Sequence, residues 1–232
     1  LFFNSLSAVE QQFLINAIRF EVSHLQSSIV KSNVIIQLNR VSNDLAKRVA
    51  EVIGIASPVP DPKFYNNNAT KFISIFGHDL PTIATLNVAV LVSVKSSGSM
   101  SQAAALTAAF KPAGVNVAVV GEILQSGIGT TYSATDASTF DGIIVCSGAE
   151  GVFINGTSST YFPSNRPLQI LVDGYRWGKP VGALGGASAA LSKADIGSTP
   201  GVYGGNDVGA FVTAFKAGLK TFKFTDRFPI DK

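Results

Sequence analysis

The sequence predicts an α/β protein, a layer sandwich with a mainly parallel sheet, preceded by an α-helical segment and a linker. Three observations lead there. From Leu86 onward, short continuous apolar runs alternate with stretches of helical spacing, the pattern of parallel strands covered on both faces by helices. Residues 1 to 55 carry helical periodicity instead. Between them Pro58, Pro60 and Pro62 precede Asn66-Asn67-Asn68, a composition that favours extended and turn conformations. The expected division is 1–55 terminal helices, 56–84 extended Pro/Asn-rich linker and 85–232 α/β domain.

In the first stretch, Ser7-Ala8-Val9-Glu10 reads as a capping box that starts a helix carrying Phe13, Leu14, Ala17, Ile18 and Leu25. A second helix carries Val30, Val34, Ile35 and Leu38. Ser42 or Asn43 caps a third, with Leu45, Val49, Val52 and Ile53 on one face and Gly54 as its stop. About fifty residues with so many apolar positions cannot bury them all internally, so these helices are expected to pack against another body.

In the α/β stretch the expected elements are a strand over 86–94, a helix over 101–112, and strands over 115–120 and 142–146. A helix over 167–177, a strand over 181–184 and a closing helix over 207–219 follow. The arrangement is flavodoxin-like, with a ligand crevice expected at the carboxyl ends of the strands. The turns there are rich in serine and glycine: Lys95 to Ser99, Ser147 to Gly151, and Gly185 to Ser188. Such turns can form an anion nest at a helix start, but small residues also let turns pass close together, and that packing reading is preferred. No Walker loop or dinucleotide fingerprint is present, since Gly182-Ala183-Leu184-Gly185-Gly186 lacks the spacing and the following acidic residue.

The 232 residues are 46% apolar and 14% charged, which makes a folded globular protein the expectation. A net charge of +3 with scattered Lys and Arg gives no footprint for a phosphate backbone, so no nucleic-acid partner is expected. The stretch from Ile83 to Val94 is short and interrupted by Thr85, Asn87 and Ser93, so no membrane partner is expected either. The start, Leu1-Phe2-Phe3, has neither an initiator methionine nor a signal-peptide pattern and reads as a fragment or a processed product. Two sequons, Asn68-Ala69-Thr70 and Asn155-Gly156-Thr157, favour a secreted or cell-wall location over the cytoplasm, although the compartment stays open.

Cys146 ends an apolar strand with no basic neighbour in sequence and is expected to be a buried, inert thiol. His24 and His78 stand far apart without metal-ligand spacing, so no metal site is expected.

"DGIIVCSGAEG" (141–151) and "KPVGALGGASAAL" (179–191) resemble the class I glutamine-amidotransferase-like superfamily, specifically its PfpI branch of proteases, deglycases and holding chaperones. The latter segment is the outline of a nucleophile elbow. Matched residue by residue, the family's cysteine falls on Gly185, its acidic helix residue falls near Gln102, and no histidine follows His78. The resemblance thus implies a fold without its nucleophile, carboxylate or imidazole, so no catalytic residue is expected in this chain. Glycine accepts a strained elbow more readily than cysteine, so the turn can outlast the chemistry.

"FFNSLSAVEQQFLINAIRFEVSHL" (2–25) and "LNRVSNDLAKRVAEVIGI" (38–55) are similar to the last helices of the haem catalases. Catalase helices, a linker and an amidotransferase-like domain occur in that order in the large-subunit catalases of fungi and bacteria, and the combined resemblance covers essentially the whole chain. It implies a parent that converts hydrogen peroxide to water and oxygen at a haem bound upstream, with a distal histidine and asparagine and a proximal tyrosinate. No Arg-x-x-x-Tyr motif lies here: Tyr65 follows Pro62-Lys63-Phe64, and Tyr175-Arg176 has the wrong order. Haem is therefore expected in the parent and no cofactor in this chain. The implied partners are the catalase core and neighbouring subunits of a homotetramer, with a role in stabilising the assembly or shaping haem access. Two alternatives stand beside it. One is a holding chaperone for unfolded clients, drawing on Phe211, Phe215, Phe222, Phe224 and Phe228, for which core packing is the preferred explanation. The other is a small-molecule binder at the degenerate elbow.

Overall fold

The computed structural model describes residues 1–65, 68–71, 73–74, 76–155 and 159–231. Asn66 and Asn67 of the linker and Gly156 and Thr157 of the second sequon lie outside the described residues. The chain forms two units, Leu1–Gly77 with Pro229–Lys232 and His78–Phe228.

The first unit is helical: α1 (Phe2–Ser5), α2 (Ala8–Ser23), α3 (Ser28–Val41) and α4 (Asn43–Ile53). The capping box forms as the sequence requires. The Glu10 amide donates to Ser7 Oγ at 3.3 Å, and the Ser7 amide donates to Glu10 Oε2 at 2.8 Å, satisfying two amides that a helix start leaves free. Ser42, rather than Asn43, caps α4 by accepting from the Leu45 amide, and Gly54 ends it in the left-handed region. Ile15, Ile35, Leu45, Ala46, Val49 and Ala50 form its core. The proline-rich stretch lies along these helices: the Asn43 side chain donates to the Pro58 carbonyl at 3.0 Å and that of Asn39 to the Val59 carbonyl at 2.9 Å. The chain's carboxy-terminal residues return to this unit, where the Asp231 amide donates to Gln12 Oε1 at 3.1 Å.

The second unit is a six-stranded, all-parallel sheet in the order β3-β2-β1-β4-β5-β6. Its strands are β1 (Asn87–Leu91), β2 (Asn116–Gly121), β3 (Thr130–Thr131), β4 (Gly142–Val145), β5 (Val181–Leu184) and β6 (Val202–Gly205). The helices are α5 (Ser97–Phe110), α6 (Glu150–Ile154), α7 (Arg166–Arg176), α8 (Ser188–Lys193) and α9 (Val208–Thr221). Alternate residues of each strand face opposite layers. Ala89, Leu91, Ile143, Val145, Val181 and Ala183 pack with Phe153, Ile170, Leu171 and Ala190 of α6, α7 and α8. Val88, Val90, Ile144 and Leu184 pack with Leu106 and Phe110 of α5 and Phe211 and Phe215 of α9. This is the flavodoxin-like sandwich that continuous apolar strands predict.

Candidate functional site

The elbow forms where the sequence places it. β5 ends at Leu184, and the chain turns at Gly185, with φ of +56°, through a 3-10 turn into α8. This is the left-handed conformation that non-glycine residues adopt only at a cost.

The space above that turn is taken by the loop after β4. A Cβ at position 185 would stand 3.0 Å from Ser147 Oγ, and one at position 186 would stand 3.1 Å from Glu150 Oε1. Glu150 is held in turn by the Gly148 amide, which donates to its Oε2 at 2.7 Å. Gln102, on α5, accepts from the Ser147 amide through its side-chain oxygen at 2.8 Å. The two positions matched to the family's reactive groups, 185 and 102, thus meet at Ser147. A neutral carboxamide there fixes a backbone amide but offers no proton acceptor of useful strength, and Gly185 offers no nucleophile.

The serine-glycine turns approach each other closely. Gly148 has φ of +87°, and a Cβ on it would overlap the hydroxyl of Ser96, which caps α5 by accepting from the Ser99 amide. The left-handed backbone at Gly148 and the approach of the Ser96 side chain leave no room for a Cβ there.

Cys146 follows β4 and is wholly buried, and that burial pushes its thiol up to about 12. His24 ends α2 with its Nδ1 on the Phe20 carbonyl. His78 is two residues from Leu80, whose amide donates to the Lys220 carbonyl near the end of α9. Because α9 runs antiparallel to the strands, that end lies away from the elbow.

Among the described residues no group of three or more His, Cys, Asp or Glu residues is arranged around a metal position. Tyr65 Oη donates to Asn39 Oδ1 and accepts from the Asp61 amide, whereas Tyr132 is buried and donates to the Val92 carbonyl. Burial, reinforced by Glu122, holds the Tyr132 phenol well above its ordinary pKa, the reverse of what a tyrosinate ligand needs.

Two polar groups at structurally decisive places are not singled out by sequence motifs. Glu122 follows β2 and is buried, accepting from Ser93 Oγ at 2.6 Å and from the Val94 amide at 2.8 Å. Its only sequence signal is a carboxylate directly after an apolar strand. Lys179, visible only as the lysine of Lys179-Pro180, is buried and donates to the carbonyls of Ala137 and Phe140, tying two loops to the start of β5.

Comparisons with known proteins bear on both units. Residues 84–229 match the family described as the C-terminal domain found in long catalases, and residues 1–53 match the family described as catalase-related immune-responsive. The whole chain is 52% identical to catalase-3 of Neurospora crassa over 32% of that protein's length, and 50% identical to catalase B of Aspergillus oryzae over 33%. A more distant relative, catalase HPII of Mycobacterium avium, is 25% identical over 84% of this chain and 28% of its own length. The chain spans about a third of the length of the fungal relatives it matches.

Proposed function

The chain belongs to the family of C-terminal domains found in long catalases, and we propose that it serves such an enzyme as a non-catalytic appendage that stabilises the assembly or shapes access to the haem. In this reading the parent converts hydrogen peroxide to water and oxygen at a haem held outside this chain. Residues 1–55 are the last helices of the catalase core, 56–84 the connection and the stretch from 85 the appended domain, whose last residues, 229–232, return to the helical unit.

The observation that carries this reading is the second apolar face of α3. Val34, Ile35 and Leu38 point into the helical unit's core, yet Ile29 is 71% exposed and Ile36, seven residues on and in the same outward stripe, is 50% exposed. Phe20 of α2 and Val52 of α4 are exposed by 65% and 55%. A helix that is apolar on opposite faces needs cover on both. In a chain that spans a third of its relatives' length, the rest of the parent is the cover we assign.

Replacing Ile29 and Ile36 together with glutamate in the assembled parent tests this. Both side chains are exposed in the chain alone, so the fold should persist while the parent's assembly loosens at lower denaturant. An unchanged assembly would count against the reading. Of the five phenylalanines that suggested the chaperone alternative, Phe211 and Phe215 are core residues, whereas Phe222, Phe224 and Phe228 are half-buried. Suppression of client aggregation by the chain alone, at near-stoichiometric ratios, would nevertheless favour it.

A further inference from the structure

We propose that a cavity at the carboxyl ends of β1, β2 and β4 binds a small uncharged polyol of about monosaccharide size. Its place follows from topology. β1 leads to β2 and β3 on one side of the sheet, whereas β4 leads to β5 and β6 on the other, so the chain reverses its direction of winding between β1 and β4. In open α/β sheets a crevice opens outside the strands at such a switch point. Here it has a volume of about 480 Å³, within the range of small-molecule sites, and is lined by Ser93, Lys95, Glu122, Gly148, Tyr161 and neighbouring groups. Its lining includes neither Gly185 nor Gln102, although it shares Gly148 with the loop that lies over the degenerate elbow.

The chemistry of the lining selects the ligand. Glu122, only 7% exposed, is a carboxylate set in the wall, and each of its oxygens accepts one protein donor, leaving lone pairs for a ligand. A carboxylate at that depth accepts hydroxyl protons and repels phosphate or another carboxylate. Lys95 is exposed at the rim and offers donors only, so it opposes a cationic ligand and suits an oxygen acceptor. A hydroxyl group both donates and accepts, and a pair of adjacent hydroxyls can satisfy both residues at once. Tyr161, also exposed at the rim, presents a ring against which the C–H face of a sugar can lie. Aromatic face, buried acceptor and rim donor together describe a polyol site.

The test is calorimetric titration and thermal unfolding of the 232-residue chain with glucose, mannose and glycerol, and with inorganic phosphate in a parallel arm. The proposal expects saturable binding and a rise in melting temperature with at least one of the polyols, and neither with phosphate. Glu122→Gln keeps the side chain's shape and should weaken polyol binding about tenfold or more. Tyr161→Ala and Lys95→Ala alter only exposed side chains and should each weaken it several-fold without lowering the melting temperature of the free chain. No saturable polyol binding, binding of phosphate instead, or unchanged affinity in the two rim variants would overturn the proposal. If Glu122→Gln does not fold, the rim variants decide.

Discussion

Arg48 Nη2 meets Asp231 Oδ1 at 2.6 Å across 183 residues of sequence, and Arg19 binds the other oxygen of the same carboxylate. The two arginines are themselves joined, since Arg19 donates to the Arg48 carbonyl at 3.0 and 2.7 Å. A carboxylate near the chain's end thus locks α2 to α4 within the helical unit. Burial works against the charge on Asp231, but hydrogen bonds with Arg48, Arg19 and Gln12 outweigh it and bring its pKa down to about 2.

That depression has a defined sign. An unfolded aspartate titrates near 3.9, so the clamp contributes stability that is fully present above about pH 5 and is lost as pH falls towards the folded value of about 2. Asp231 is about one-third exposed, which screens the effect. Urea unfolding should show Asp231→Asn to be less stable than the native chain at neutral pH, with the gap closing between about pH 4 and about pH 2. A gap independent of pH would mean that the carboxylate's charge contributes nothing.

The elbow predicts the cost of restoring a side chain. Gly185→Ala and Gly185→Cys each place a Cβ in the left-handed region and 3.0 Å from Ser147 Oγ. Each should lose about 1–2 kcal/mol of stability. The cysteine variant should also show no esterase or deglycase activity above background, because residue 102 is a glutamine and no histidine follows His78 in the sequence. Turnover by Gly185→Cys would show that the surroundings are still catalytic.

For Cys146, burial that pushes the thiol up to about 12 predicts silence towards thiol reagents. The native chain should take up none at pH 8 within the time needed to label a free thiol, and one equivalent per chain once unfolded. Rapid labelling of the native chain would contradict the buried strand position.

Lys223 supplies an alkaline counterpart to Asp231. Burial, followed by the charge of Lys179, lowers its pKa to about 8, against about 10.4 when unfolded. Between those values the unfolded chain binds more protons, so this residue's contribution to stability should rise with pH. Lys223→Met should flatten the expected rise between about pH 8 and about pH 10, and an identical profile in variant and native chain would remove Lys223 as its source.

Much of the fold was legible because it rests on local rules. The Ser7–Glu10 box, the Gly54 stop and the apolar run at 181–184 each carry their own signal, and the structure realises each one. β3 and β6 were not legible: the first is two threonines, and the second, Val202–Gly205, is half glycine, so neither shows an apolar run. Both are edge strands whose pairing is set by the neighbouring strand. α6 was hidden for a similar reason, since five residues after a serine-glycine turn are too few to display a period. At the site, sequence located the turn at Gly185 and the loop at Ser147 but not their direct approach, nor the hydrogen bond from Ser147 to Gln102 across 45 residues. Nor did it show that Glu122 would be buried against Ser93, because burial of a carboxylate depends on loops that converge only in three dimensions.

The central claim is that this chain supports a catalase without performing its chemistry, and heat inactivation tests it most directly. The haem-loaded parent enzyme should be compared with the same enzyme lacking residues 84–229, following peroxide decomposition before and during incubation at a temperature that inactivates the parent slowly. The account predicts, for the shortened enzyme, a markedly shorter lifetime with dissociation of subunits, or an initial turnover per haem altered by changed access. Unchanged turnover together with equal lifetimes and an intact assembly would contradict it.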